Sequence, residues 1–252
     1  MSSLLQFEIT VELLNCTTKE KSLETAIVLL SGGLDSATVL AIAQKAGLDC
    51  LALSFRYGQS HAAEIEAATQ LALEAGVRRH IIVDIDLRVF GGSALTADIP
   101  IPKHIDSQEL GATVPITYVP ARNTIFLSYA LAFAEVTNAS KVFIGVNAVD
   151  YSGYPDCRPE FIASFEQMAN LATKAATQDG VKLSIVAPLM TLTKAEIVTL
   201  GTGLGVDYGK TVSCYEANEH GQACGGCDAC VLRRRGFAEA NLIDPTRYVP
   251  VS

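Results

Sequence analysis

The chain reads as an α/β protein, a Rossmann-like parallel sheet with helices on both faces, followed by a small C-terminal segment built on four cysteines. Three observations predict this. From residue 25 onward short apolar, β-branched runs alternate with longer amphipathic stretches, the pattern of parallel strands joined by crossover helices. A glycine loop, Ser31-Gly32-Gly33-Leu34-Asp35-Ser36, joins the first strand to the first helix. Near the end, Cys214, Cys224, Cys227 and Cys230 stand in a C-x9-C-x2-C-x2-C pattern.

Residues 1–24 precede the alternation. Phe7, Ile9, Val11 and Leu13 alternate with Glu8, Thr10 and Glu12, the period of a half-buried strand. This extension reads as an extra edge strand, a dimer contact or a tail. Strands are expected at 25–30, 49–55, 80–86, 141–146 and 182–187, and helices at 36–46, 60–75, 122–137, 159–176 and 193–202. Gly47 is placed to stop the first helix, and Thr193-x-x-Glu196 is a capping box opening the last. These elements make a nucleotide-binding α/β domain over 25–208, with a helical metal-binding segment over 209–252. In such sheets ligands bind beyond the carboxyl ends of the strands, so the loops after residues 30, 55, 86, 146 and 187 should share one face. Residues 87–120, with Gly91-Gly92 and four prolines, form the longest stretch without periodicity and read as a lid.

Composition sets limits. The 252 residues are enough for one substantial core, and 49% hydrophobic with 18% charged residues indicates a compact globular chain. A net charge of −8 argues against a nucleic-acid footprint, which needs a basic face. Arg233-Arg234-Arg235 is the local exception and reads as a solvated or phosphate-facing helix surface. No run approaches the roughly 18 apolar residues of a membrane span. No signal peptide is expected, and seven cysteines then point to a reducing compartment, the cytoplasm.

The glycine loop carries the first functional reading. Two glycines let backbone N–H groups converge on an anion, and the helix N-terminus adds its partial positive charge. Ser31 and Ser36 add hydroxyls. The candidate nucleotide-binding segment is Leu30, Ser31, Gly32, Gly33, Leu34, Asp35, Ser36, Ala37, Thr38, Val39 and Leu40. Unlike a Walker A motif, the loop contains no lysine, which favours a pyrophosphate that departs over a γ-phosphoryl that transfers. The pattern resembles the PP-loop of the ATP pyrophosphatase superfamily, which activates oxygens by adenylation.

The cysteine spacing offers four thiolates to one ion, favouring structural zinc, with an iron–sulfur cluster as the alternative. Cys16, Cys50 and Cys157 read as buried small residues, Cys157 with a place beside the site. Phe55, Tyr57 and Gln59 follow the second strand and could stack on a ring and bond its edge. Arg122 opens the third long helix as a phosphate or carboxylate clamp, or as a surface arginine. Asp150, Tyr151, Tyr154, Asp156 and Arg158 crowd one Gly/Pro loop, the best substrate-binding constellation or a structural Ω-loop. Lys194 either faces phosphates from a helix start or is solvated.

Taken together, Ser31–Ser36, Tyr57-Gly-Gln59 with His61, Pro120-Ala-Arg-Asn123, Asp150-Tyr-Ser-Gly-Tyr-Pro-Asp-Cys-Arg158, Pro188-Leu-Met190, Lys194-Ala-Glu196 and the four cysteines resemble the 7-cyano-7-deazaguanine synthase family. Ala121 stands where the family often has Gly, and residues 1–24 have no counterpart in its shorter members. The resemblance implies a carbon–nitrogen ligase of queuosine precursor biosynthesis. It would convert 7-carboxy-7-deazaguanine and ammonium to 7-cyano-7-deazaguanine, adenylating the carboxylate and then the amide. It further implies ATP with Mg²⁺, a structural zinc on the four cysteines, a homodimer, and no nucleic-acid or membrane partner. Asp35, Ser36, Arg122 and Lys194 are the implied catalytic residues, with Asp35 and Asp150 toward magnesium. Phe55, Tyr57 and Tyr151 are the implied stacking residues. The rivals are a PP-loop tRNA thiolation or amidation enzyme with a sulfur-bearing cysteine cluster, and a zinc-dependent interaction module without catalysis.

Overall fold

The computed structural model describes residues 23–58, 63–103, 114–149 and 153–250. Strands β1 (Thr25–Leu29), β2 (Asp49–Arg56), β3 (Arg79–Asp84), β4 (Lys141–Phe143) and β5 (Ser184–Val186) form one sheet in the order β3-β2-β1-β4-β5. Every pairing is parallel; Ala26 of β1 lies opposite Cys50 on one side and Lys141 on the other. The central strand β1 is apolar and buried from Ala26 to Leu29 because both faces are covered.

Side chains alternate between the two faces with the period of two that strands impose. Ile27, Leu29, Leu51, Leu53 and Val142 pack with Leu127, Ala130 and Ala134 of α3 (Arg122–Thr137) and with Ile162, Phe165 and Ala169 of α4 (Pro159–Ala172). Ala26, Val28, Cys50, Ala52 and Phe143 pack on the other face. Their partners there come from α1 (Leu34–Lys45), α2 (Ala63–Glu74) and α6 (Lys194–Gly203). A short α5 (Lys174–Thr177) follows α4, and α7 (Asp228–Glu239) closes the chain against α6. Among the described residues no helix is long and apolar enough to cross a membrane.

The departures from the sequence-based boundaries have local causes. The expected helix over 159–176 breaks at Thr173, whose backbone is extended and whose hydroxyl donates back to Ala169 O at 3.0 Å. Glu135 of α3 then accepts from Lys174 N at 2.6 Å, anchoring α5 in a new direction. β4 ends at Phe143 rather than at 146. Beyond it the chain passes the start of α1, where a Cβ on Gly145 would stand 3.3 Å from Ser36 N. The stretch expected as a lid is packed where it is described: Ala94 N donates to Ile116 O at 2.8 Å, and Ser93, Ala94 and Leu95 are buried. Residues 104–113 of that stretch, and the strand expected within residues 1–22, lie outside the described residues.

Helix α3 starts from a strained residue. Ala121 has φ +54° and ψ 21°, the left-handed region that penalises a Cβ. Ala121→Gly should therefore raise unfolding stability by about 0.5–1 kcal/mol, the relieved strain less the added entropy of an unfolded glycine. Chemical denaturation checks this, and an unchanged or lowered midpoint would refute it.

Candidate functional site

The parallel sheet opens at its carboxyl edge onto a cleft of about 210 Å³, lined by the ends of β1 and β2 and by the residues that follow β1 and β4. The first wall is the glycine loop. Gly32 has φ +90°, and a Cβ there would meet Glu64 O at 2.1 Å and Ala68 N at 2.8 Å, so the loop lies directly on the backbone of α2. Gly33 caps α1 with extended backbone and no side-chain cap bond of its own, so the start of the helix lies at the cleft. Ser31 Oγ and Ser36 Oγ stand 3.1 Å apart, and Gly33 N donates to Ser31 Oγ at 3.3 Å. Ser31, Gly33, Leu34, Asp35 and Ser36 line the cleft, as does Leu30. Gly32, Ala37, Thr38, Val39 and Leu40 do not; Val39 and Leu40 join the core, and Thr38 bonds Tyr208 Oη at 2.8 Å.

The loop lacks a lysine of its own, and the fold brings one from another element. Lys194 Nζ sits 2.8 and 2.9 Å from the two carboxylate oxygens of Asp35, with the lysine side chain 7% exposed. The capping box is formed, Thr193 accepting from Glu196 N and Glu196 from Thr193 N, which fixes the start of α6. Gly236 of α7 lies against the lysine stem, where a Cβ would stand 2.3 Å from Lys194 Cγ. Burial of this cation is offset by its carboxylate partner.

The opposite wall is aromatic. Phe55 stacks on Phe126 with centroids 4.0 Å apart, and Tyr57 packs against Phe126 at 5.5 Å. Arg122 Nη1 donates to Tyr57 Oη at 3.4 Å, with its guanidinium 5.7 Å from that ring. Burial opposes the Arg122 charge, but Tyr57, Asp156, Tyr154 and Cys157 outweigh it and hold the pKa above the ordinary value. Arg122 is thus a cleft residue held among acceptors rather than a surface arginine. Tyr154 lines the cleft and shares a 2.8 Å hydrogen bond with Thr117 Oγ1.

Asp156 and Arg158 stand differently. Asp156 is buried and accepts from Asn123 N at 2.9 Å, capping the first turn of α3 beside Arg122. Burial pushes its carboxyl up, against the pull of that N–H. Arg158 is exposed and donates to Pro155 O at 3.1 Å, away from the cleft. Cys157 does line the cleft, its thiol pushed up to about 12 by burial. Gln59, His61, Asp150 and Tyr151 lie outside the described residues.

Three cleft residues were not singled out from the sequence in this role. Glu64 sits half-buried in the first turn of α2, and its carboxyl is pushed up to about 7, chiefly by burial. Ser213 reaches the glycine loop, accepting from Leu34 N at 3.2 Å. Arg233, read as part of a solvated or phosphate-facing helix surface, is 3% exposed. It donates to Asp244 Oδ1 at 3.1 Å, Thr211 Oγ1 at 2.7 Å and Tyr208 O at 2.8 Å. Its neighbours do face outward: Arg234 lies over Tyr248, and Arg235 pairs with Glu239 at 2.7 Å. The run splits because the turn of α7 sends one arginine in three inward.

The sulfurs of Cys214, Cys224, Cys227 and Cys230 all lie within 4.8 Å of one another, and no disulfide joins them. Backbone N–H groups point at them: Glu216 N and Cys224 N donate to Cys214 Sγ at 3.3 and 3.2 Å, and Cys227 N to Cys224 Sγ at 3.4 Å. A tetrahedron of sulfurs around zinc has edges of about 3.8 Å, so the donor set and its spacing fit such an ion. Cys227 is also the residue that caps α7, and Cys230 lies in that helix's first turn.

Residues 25–241 match the family model described as queuosine biosynthesis protein QueC. A 7-cyano-7-deazaguanine synthase from Desulfatibacillum aliphaticivorans is 57% identical over 237 residues, covering 94% of this chain and 100% of its own length. Relatives of the same name from Paramagnetospirillum magneticum and Kineococcus radiotolerans are 62% and 61% identical, covering 90% and 88% of this chain and 99% and 97% of their own lengths. Among solved structures, an NMN synthetase from Francisella tularensis is 20% identical with a TM-score of 0.47, covering 88% of this chain and 79% of its own.

The Glu64 carboxyl makes stability depend on pH. It titrates near 7 in the folded state against an ordinary 4.5, so between those values the folded protein holds the extra proton. Wild-type stability should fall relative to Glu64→Gln as pH rises from about 4.5 to 7, and the gap should then level off. Parallel stability curves across that window would count against the burial of this carboxyl.

Proposed function

The chain belongs to the queuosine biosynthesis protein QueC family, the 7-cyano-7-deazaguanine synthases, and from that premise we propose how its cleft divides the work. The observation that carries the reading is the Asp35–Lys194 pair, set at the glycine loop and facing the Phe55–Tyr57–Arg122 wall across one cleft. The loop amides with Ser31 and Ser36 hold the departing pyrophosphate. Lys194 and Arg122 neutralise charge that grows on the phosphates as the α-phosphorus is attacked. Phe55, Tyr57 and Tyr154 contact the deazapurine, with Gln59, Asp150 and Tyr151 assigned to the same surface. Asp156 works through Asn123, by holding the start of α3 that presents Arg122, and Arg158, exposed and bonded to Pro155 O, is given no substrate contact.

The chemistry runs in two activations. A carboxylate oxygen of 7-carboxy-7-deazaguanine attacks the α-phosphorus of ATP and pyrophosphate leaves; ammonia then displaces AMP to give the amide. The amide oxygen attacks a second ATP, pyrophosphate leaves again, and loss of AMP with two protons gives the nitrile. We take free ammonium as the nitrogen source. Mg²⁺ bound with ATP would neutralise the phosphates, and Asp35, a partly buried carboxylate in the loop, fits its donor preference. The four cysteines would hold a structural zinc, which four sulfurs with amide N–H donors suit. A homodimer in the cytoplasm, with residues 25–208 as the nucleotide domain and 209–252 as the metal segment, completes the proposal. The tRNA-modifying rival is disfavoured by the net charge of −8 and by the burial of Arg233.

Incubation with ATP, ammonium and 7-carboxy-7-deazaguanine should yield the nitrile by mass spectrometry, with pyrophosphate release dependent on the deazapurine. Lys194→Met should lower kcat by about a hundredfold or more, the usual cost of removing a group that meets developing charge. Near-wild-type turnover in that variant would remove the lysine from the mechanism.

A further inference from the structure

The glycine loop receives one contact from far along the chain that its own motif does not explain. Ser213 Oγ accepts a hydrogen bond from Leu34 N at 3.2 Å and a second from Arg233 Nη1 at 3.4 Å. Both bonds use the oxygen as acceptor. The hydroxyl proton has no acceptor among the described residues, and the side chain lines the cleft beside Ser31 and Ser36. Arg233 is itself fixed, by Asp244, Thr211 and Tyr208 O, so the oxygen is held by two donors and its own proton is left for an acceptor in the cleft. The preceding residue is tied to the same loop, Val212 N donating to Gly32 O at 2.9 Å, so the strap cannot drift from the loop.

We propose that Ser213 is a phosphate-binding residue, a third hydroxyl supplied to the glycine loop by the C-terminal segment and positioned by Arg233. The inference rests on the reading that this loop holds the phosphates of ATP. A polarised O–H donor suits the pyrophosphate oxygens: two donors already on Ser213 Oγ strengthen the bond that its own proton gives. Adenosine carries no such oxygens and has no use for the contact.

The test is titration of inorganic pyrophosphate, and separately adenosine, into wild type, Ser213→Ala, Ser213→Thr and Ser36→Ala, each with its metal content and melting temperature recorded. Loss of one hydrogen bond to a charged group predicts pyrophosphate binding about tenfold weaker in Ser213→Ala. Adenosine affinity should be unchanged, and Ser213→Thr, which keeps the hydroxyl, should stay within about threefold of wild type. Amide exchange at Ser31, Gly32, Gly33, Asp35 and Ser36 in the ligand-free Ser213→Ala protein should match wild type, Leu34 alone losing its acceptor. Wild-type pyrophosphate affinity in Ser213→Ala overturns the proposal. Equal losses in the Ala and Thr variants, a parallel loss of adenosine, or faster exchange at loop amides other than Leu34 also overturn it, leaving Ser213 a brace and not a ligand. Failure of the wild type and Ser36→Ala alike to bind pyrophosphate would instead refute the phosphate-loop reading on which it rests, and the proposal with it.

Discussion

Residues 212–214 join the glycine loop to the cysteine cluster, and the cleft depends on that join. Val212 N bonds Gly32 O, Ser213 Oγ takes the amide of Leu34, and the next residue, Cys214, contributes the first sulfur of the cluster. The loop packs on α2 through Gly32, and among the described residues this strap is its backbone tie to the C-terminal segment. Whatever gathers the four sulfurs therefore also sets the outer edge of the loop. Three short hydrogen-bonded residues transmit a constraint that would be expensive to build from side-chain packing alone.

The same cluster orients a second element. Cys227 caps α7 and Cys230 stands in its first turn, so the sulfurs define where the helix begins and along which line it runs. From that start α7 carries Ala229 and Arg233 to the cleft and Gly236 to the stem of Lys194. The cation that the loop lacks thus comes from α6, and the helix that presses it into place is anchored by sulfur. Charge is arranged in matched pairs: Lys194 with Asp35, Arg233 with Asp244, and Arg122 among Tyr57, Asp156 and the titrating Glu64. An acidic protein of net charge −8 can in this way present cations locally to a polyanionic ligand without a basic surface.

What could be read in advance follows from how local each feature is. The strand, glycine loop and helix over residues 25–45 were legible because turn, donors and helix start lie within a dozen residues. The cysteine spacing was legible for the same reason. The ends of β4 and β5 were not, since Val146 and Leu183 remain apolar and buried beyond the paired residues. Glu64 and Ser213 escaped notice because their roles come from contacts between distant segments; Ser213 meets Leu34 across 179 residues of chain. The arginine triplet was noticed, but which of its members turns inward follows only from the helix phase. The left-handed start of α3 at Ala121 was not read from the sequence, because alanine carries no signal for that conformation.

Hydrogen exchange at the amides of Leu34 and Val212 tests the central claim most directly, comparing protein as purified with protein stripped of metal by a chelator at neutral pH. If the cluster holds the strap and the strap holds the loop, both amides lose protection together on stripping, while Val28 in the central strand β1 keeps its own. Unchanged protection at Leu34 and Val212 after the metal has gone would show that the loop holds its shape unaided, and would contradict the account.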